Sequence, residues 1–471
     1  MKKVISILVI PLFFMLISIY ANGSQKVSGE NKDWKAGVAK TIITPEGKLW
    51  MAGYAFRDKP TADKRHDLWV KALALEDGNG KVGVFVSMDV VGIPKFLLHK
   101  VYEGVLNKYG ITKEQMLING SHTHTGPLLY DPFRPMYNIN LKNELLDNVI
   151  KYSDKFVNNI VKTIGDALYS RESVRIFSGQ GMARFQVNRR NNIESQIRTA
   201  VELKGPNDFS VPVIKVENNL GKTIALLFGY ACHGTVLCDY KWSGDYAGFA
   251  QIELERMYPD ATAMFFQGCA GDQNPLPRRT PGLAKQYGKT LALAVECALT
   301  DNMKELDPQL VYGYKEINLK LEKLPTKEEL IEIEQNGSQF KKFWASHLLK
   351  QLNANGKLMD SYPYPIQVWG LGEQIIVGLA GETVIEYAIN LKRILGKNTF
   401  IFGYCSEGNL SYIPSAKIIK EGGYEALTAQ YYKGFPCAWS PELEVDILKT
   451  VTEMATQLFQ GQIEILKPEK Y

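Results

Sequence analysis

The chain has 471 residues, 45% of them hydrophobic and 22% charged. That composition excludes a disordered chain and describes a core large enough to need neither metal nor disulfide for stability alone. Lys and Arg outnumber Asp and Glu by 55 to 50, an excess too small and too evenly spread to point to nucleic acid or an anionic membrane surface as partner.

Lys2 and Lys3 precede an almost wholly apolar run, Val4 to Tyr20, which small and polar residues close at Ala21-Asn-Gly-Ser. This reads as a secretory signal segment, residues 1–22, with a permanent anchor as the alternative at the short limit for a span. A periplasmic or secreted chain with no membrane span after cleavage is expected. Residues 24–33 read as a loose polar leader, and 34–471 as one catalytic unit. Strands are expected at Trp69 to Leu75 and Val82 to Ser87, about an Asp-Gly-Asn-Gly turn at 77–80, and again at Gln115 to Asn119. Helices are expected at Lys95 to Tyr109 and Leu141 to Tyr169. A hairpin, Val213 to Val216 with Thr223 to Tyr230, comes next, then a helix at Tyr246 to Met257, a strand at Thr262 to Phe266 and a helix at Pro281 to Leu299.

In the second half, Gln309 to Leu321 reads as a strand. Thr326 and Glu329 form a capping box that opens a helix ending near Gly337. Residues 340–355 read as a second, polar helix, and the two together as a solvated hairpin. Buried strands follow at Gln374 to Leu379 and Thr399 to Tyr404, and Pro441 to Phe459 closes the chain as a helix. The alternation implies an α/β fold: a mixed, partly parallel sheet flanked by helices, with an active site at the strand carboxyl ends. The spacing of six cysteines (232, 238, 269, 297, 405, 437) fits buried free thiols better than disulfides or a zinc ribbon.

Chemistry gathers where strands end. Gln115 to Asn119 runs into Gly-Ser-His122-Thr-His124-Thr-Gly-Pro, Thr223 to Tyr230 into Ala-Cys-His233-Gly, Gln374 to Leu379 into Ala-Gly-Glu382-Thr, and Thr399 to Tyr404 leads to Asn409-Leu-Ser-Tyr412. Three of the six histidines of the chain fall in these loops. Residues two apart on an extended segment share a side, so one ring of His-Thr-His can bind a metal while the other handles a proton. His233 and Glu382 in equivalent positions complete a His/His/carboxylate set of the kind that holds zinc. His66 with Asp67, and Asp89, stand where they could touch such a site; His99 and His347 read as surface residues.

These residues, in this order, resemble the neutral ceramidases, zinc amidohydrolases that split N-acylsphingosine. The resemblance runs from about residue 35 to 430 and rests on Ala39-Lys-Thr-Ile-Ile-Thr-Pro45, Met51-Ala-Gly-Tyr54, Ser121-His-Thr-His-Thr-Gly-Pro127, Asn188-Arg189, Cys232-His233, Gly271-Asp272, Gly381-Glu382 and Ser411-Tyr412-Ile413. It implies Zn2+ as cofactor, held by His122, His233, Glu382 and Tyr412. It also implies His124 as the proton-handling residue, Arg189 as the holder of the scissile carbonyl, and Tyr424 as a second active-site tyrosine. Two departures stand out. Asn274 occupies the position of the family serine once assigned as nucleophile, so a metal-activated water is expected to do the chemistry. The family's C-terminal β-sandwich domain is expected to be missing. A lipid or small-molecule substrate is implied, with an N-acyl amide first. A different amide, ester or carbohydrate-linked substrate on the same site is the alternative, and a non-catalytic binding protein the third reading. The oligomeric state is left open.

Overall fold

The structure is a computed structural model, and it describes residues 33–132, 141, 144–197, 199–200 and 202–459. The expected signal segment, nearly all of the polar leader and the start of the helix at 141 lie outside the described residues. The first half holds strands β1 (Trp34–Ile42), β2 (Trp69–Glu76), β3 (Val82–Met88), β4 (Met116–Gly120), β5 (Glu172–Met182), β6 (Gln186–Asn188), β7 (Ser210–Asn218), β8 (Thr223–Tyr230), β9 (Thr262–Gln267) and β10 (Gln273–Pro275). Its helices are α1 (Lys95–Tyr109), α2 (Glu144–Tyr169), α3 (Asp245–Met257) and α4 (Pro281–Thr300). The second half contributes β11 (Lys304–Glu305), β12 (Leu310–Lys320), α5 (Lys327–Asn336), α6 (Gln339–Asn355), β13 (Ser361–Leu371), β14 (Gln374–Leu379), β15 (Glu382–Thr383), α7 (Ile385–Leu395), β16 (Phe400–Phe402), β17 (Tyr412–Ile413), α8 (Ala416–Glu421), a π-helical turn (Tyr424–Thr428), α9 (Ala429–Tyr432) and α10 (Leu443–Leu458).

The mixed α/β architecture expected from the sequence is present, but it is built on two stacked sheets. One runs β4-β3-β2-β1-β5-β7-β8-β9 with β11 at the side of β5; the other runs β12-β13-β14-β16. Among the named strands of the described residues, β3 with β4, β8 with β9, β14 with β16 and β15 with β17 pair in parallel. Period-two side-chain alternation explains the stack. On β2 and β3, Val70, Ala72, Ala74, Val84 and Val86 pack towards α1 and α2, while Leu73, Leu75 and Phe85 pack towards Trp369, Ile376 and Phe402 of the second sheet. Both faces are buried, so these strands read as nearly continuous apolar runs. The outer face of the second sheet meets α7 and α10 through Val368, Val377, Leu391, Ile447 and Val451.

Two expectations are corrected. The α5–α6 hairpin is not merely solvated: Leu330, Trp344, Leu348 and Leu349 form a small core of their own, and Trp344 Nε1 donates to Phe435 O at 2.8 Å. All six cysteines are unpaired, but only four are buried; Cys297 is exposed and Cys238 half-buried. The capping box at Thr326 and Glu329 forms as read.

Asn119 fixes the place where the chemistry begins. Its amide donates to Gly403 O at 2.7 Å and Gln267 O at 3.3 Å, and its Oδ1 accepts from Gln267 N at 2.8 Å. One buried side chain thus joins the ends of β4 and β9 to the loop after β16. Asn119→Ala leaves these backbone groups buried without partners, so a loss of about 2–4 kcal/mol in urea denaturation is expected. An unchanged midpoint would contradict the stapling role.

Candidate metal centre

The loop after β4 does not stay extended. His122 has φ 56°, the left-handed region, and its N–H donates to Val90 O at 3.0 Å. The same-side argument for His122 and His124 therefore fails as geometry, yet the rings meet: Nε2 to Nε2 is 3.1 Å. The turn is held from two sides. Thr123 and Thr125 donate their hydroxyls to Ser243 O at 2.6 and 2.8 Å, and His124 N donates to Gly234 O at 3.0 Å. Position 234 must be glycine, because a Cβ there would stand 2.7 Å from His122 O. This contact brings the second histidine loop against the first.

The sequence places Glu382 just past the end of a strand. It lies on β15, directly paired with Tyr412 on β17, and α7 begins only at Ile385, after Val384 as cap. Asp272 steadies this junction: its carboxylate accepts from Ile385 N at 2.9 Å and Asn188 Nδ2 at 2.7 Å, and its carbonyl accepts from Arg189 N at 2.8 Å.

Glu382 Oε2 stands 3.3 Å from His122 Nε2 and 3.4 Å from His233 Nε2. The histidine tautomers follow from their other nitrogens. His122 Nδ1 faces Val91 O at 2.7 Å and His233 Nδ1 faces Ala270 O at 2.6 Å. A carbonyl only accepts, so each Nδ1 carries a proton, and a ring with no second proton turns its Nε2 lone pair inward. Two lone pairs and a buried carboxylate oxygen therefore face one another, and Glu382 Oε2 has no hydrogen-bond partner among the described residues. The arrangement needs positive charge. A second proton is one source, but burial, only partly offset by Glu382, pushes the His233 imidazole down to about 4. A bound cation is the other. Donors on a tetrahedron around zinc, at about 2.0–2.1 Å, stand about 3.3 Å apart, which is the spacing found. The donor set, two imidazoles with outer carbonyl partners and a carboxylate, fits that ion.

His124 completes a histidine trio whose ligand atoms lie within 4.8 Å of one another. It differs from the other two in that its Nδ1 is buried without a partner. No outer hydrogen bond fixes its tautomer. Burial pushes its imidazole well below the ordinary value. Tyr412 brings its hydroxyl to 3.3 Å from His233 Nε2. Arg189 lies over the rings of Tyr412 and Tyr424, 5.4 and 5.7 Å from their centroids, and its Nε donates to Glu425 Oε1 at 2.8 Å. It is no solvated pair with Arg190; both are held by buried Glu425. Tyr424 stands half-exposed at the rim.

All seven residues singled out for the site, His122, His124, Arg189, His233, Glu382, Tyr412 and Tyr424, thus gather in one place. The structure adds Lys433, whose Nζ lies 3.8 Å from Glu382 Oε1 and donates to Asn409 Oδ1 at 2.9 Å. A lysine after a Tyr-Tyr pair carries no sequence signal for such a position. The other candidates lie elsewhere. His66 pairs with Ser243 Oγ, Asp67 binds Lys64 and Thr44, and Asp89 accepts from Trp69 N. Asn274 is buried on β10 opposite Val187.

Comparison with known proteins places these features in a family. The profile of the neutral/alkaline non-lysosomal ceramidase N-terminal region matches residues 34–281, more than half of the chain. The chain belongs to this family. Neutral ceramidase A of Dictyostelium discoideum is 26% identical over 275 residues, 54% of this chain and 37% of that relative. Neutral ceramidase 2 of Arabidopsis thaliana is 25% identical over 273 residues, 56% of this chain and 35% of that relative. The matched part is thus little more than a third of these curated relatives. The solved neutral ceramidase from Pseudomonas aeruginosa shares the fold, with a TM-score of 0.70 at 18% identity over 93% of this chain and 76% of that one. Among the described residues no helix is long and apolar enough to cross a membrane.

A pH dependence follows for the metal-free protein. Between about pH 6.5 and 4, His233 takes up a proton in the unfolded chain but not in the native one, so protonation favours unfolding as pH falls. The denaturation midpoint is expected to drop steadily from pH 6.5 to 4, and less steeply in His233→Gln. A flat profile would contradict the buried, neutral imidazole.

Proposed function

We propose that this chain is an exported zinc-dependent amidohydrolase that cleaves an N-acyl amide of the N-acylsphingosine type. The observation that carries the reading is the approach of Glu382 Oε2 to His122 Nε2 at 3.3 Å and to His233 Nε2 at 3.4 Å, with no hydrogen-bond partner for that oxygen among the described residues. His122, His233 and Glu382 would hold the ion, with Tyr412 beside it. Zinc bound there supplies a Lewis acid and lowers the pKa of a bound water to about 7.

The side chains do the rest. The outer carbonyls of Val91 and Ala270 keep two rings in the ligating tautomer. His124 is neutral and unpinned at Nδ1, so it takes a proton at Nε2 and passes it to the leaving nitrogen. Arg189, with Nη2 lacking a partner among the described residues, holds the amide carbonyl oxygen and the charge that develops there. Glu425 and the two tyrosine faces keep the guanidinium in place. A cavity of about 490 Å³ shares Asp131 and Lys433 with the site and is lined by Phe96, Met359, Tyr362 and Phe435 beside Lys95 and Glu407. Its mixed apolar and charged wall supports an amphiphilic substrate. The apolar run near the N-terminus supports export.

Release of fatty acid from a fluorescent short-chain ceramide tests the reading. Turnover is expected with the metal-loaded chain, to vanish with a chelator, and to return with zinc. His122→Ala is expected to lose both bound metal and turnover, and full turnover in a metal-free His122→Ala chain would refute the assignment. Arg189→Ala is expected to keep the metal and lose about 10²–10³ in kcat.

A further inference from the structure

Tyr404 lies behind the metal centre, and the mechanism above does not use it. It follows β16, and its N–H donates to Gly381 O at 2.9 Å, next to Glu382. Its ring is 4.5 Å from the His122 ring and 6.3 Å from that of His233, centroid to centroid. Three features set it apart. It is fully buried. Its hydroxyl has no hydrogen-bond partner among the described residues. Its φ is 55°, a left-handed conformation that a bulky side chain rarely adopts. A phenol is protonated at neutral pH, so this is a buried donor left without an acceptor. A phenylalanine would fill the same space without that cost. Strain and an unmet donor on one residue, against two histidines of the centre, mark a position held for function and not for packing.

Resting on the zinc hydrolase reading, we propose that Tyr404 is a further catalytic residue whose hydroxyl donates to the oxygen held at the centre, first that of the water and then that of the developing oxyanion.

Tyr404→Phe tests this with three readings. Metal content, taken by elemental analysis, is expected to stay at the wild-type value. The melting midpoint of the metal-free variant is expected to equal or exceed that of the wild type, because no protein hydrogen bond is lost. With metal bound, kcat is expected to fall about 10²-fold with KM little changed, and acetohydroxamate, a small oxygen-donor probe read by calorimetry, to bind about tenfold more weakly. A metal-free midpoint several degrees lower would overturn the proposal, because the hydroxyl would then be a structural hydrogen bond. Unchanged kcat and hydroxamate binding, or loss of the metal, would also overturn it. Failure of the wild-type chain to bind metal or probe would sink the parent reading. A wild type that binds both, with a variant that behaves identically, would sink the Tyr404 proposal alone.

Discussion

A buried carboxylate cannot face two imidazole lone pairs unless something positive lies between them. At Glu382 this constraint shapes the whole centre. Burial leaves little water to screen the group, which is 4% exposed, and the hydrogen bonds of His122 and His233 to Val91 and Ala270 commit both outer nitrogens to donation. The repulsion so built in is the reverse side of metal affinity. A cation bound there would recover the stability given up, so occupancy and folding would be linked.

The scaffold exists to bring four distant loops to that point. Stacking two sheets buries both faces of the larger one and leaves the carboxyl ends of β4 and β9 beside the loop after β16, where Asn119 ties them. Pairing of Gly381-Glu382-Thr383 with Ser411-Tyr412-Ile413 then delivers the acid and the tyrosine as one unit. Asp272 fastens that unit to Arg189. Each loop is therefore held by a neighbour that is itself a site loop, and small errors in one would be felt in the others.

Much of this was legible in the sequence, for physical reasons. Strands with both faces buried are continuous apolar runs, so β2, β3, β4, β8, β9 and β14 could be read, and the polar loops after β4, β8 and β14 exposed His122, His233 and Glu382. Other parts were hidden. β13 carries Pro363 and Pro365, which argue against a strand, but they fall where only β12 pairs with it, and the prolines therefore break no ladder on the other side. β5 alternates small, polar and apolar residues and gave no clear run. A stack of two sheets is invisible to a reading that sees one strand at a time. The left-handed turns at His122 and Tyr404 are imposed by tertiary contacts, and nothing local in Ser-His-Thr or Gly-Tyr-Cys announces them. Tyr404 passed for an ordinary end of a buried strand for that reason.

The most direct measurement of the central claim is anomalous diffraction at the zinc edge from crystals of the metal-loaded chain. The expected result is one peak about 2.0–2.2 Å from His122 Nε2, His233 Nε2 and Glu382 Oε2. A protein that takes up no metal, or a peak placed away from these three atoms, would contradict the account.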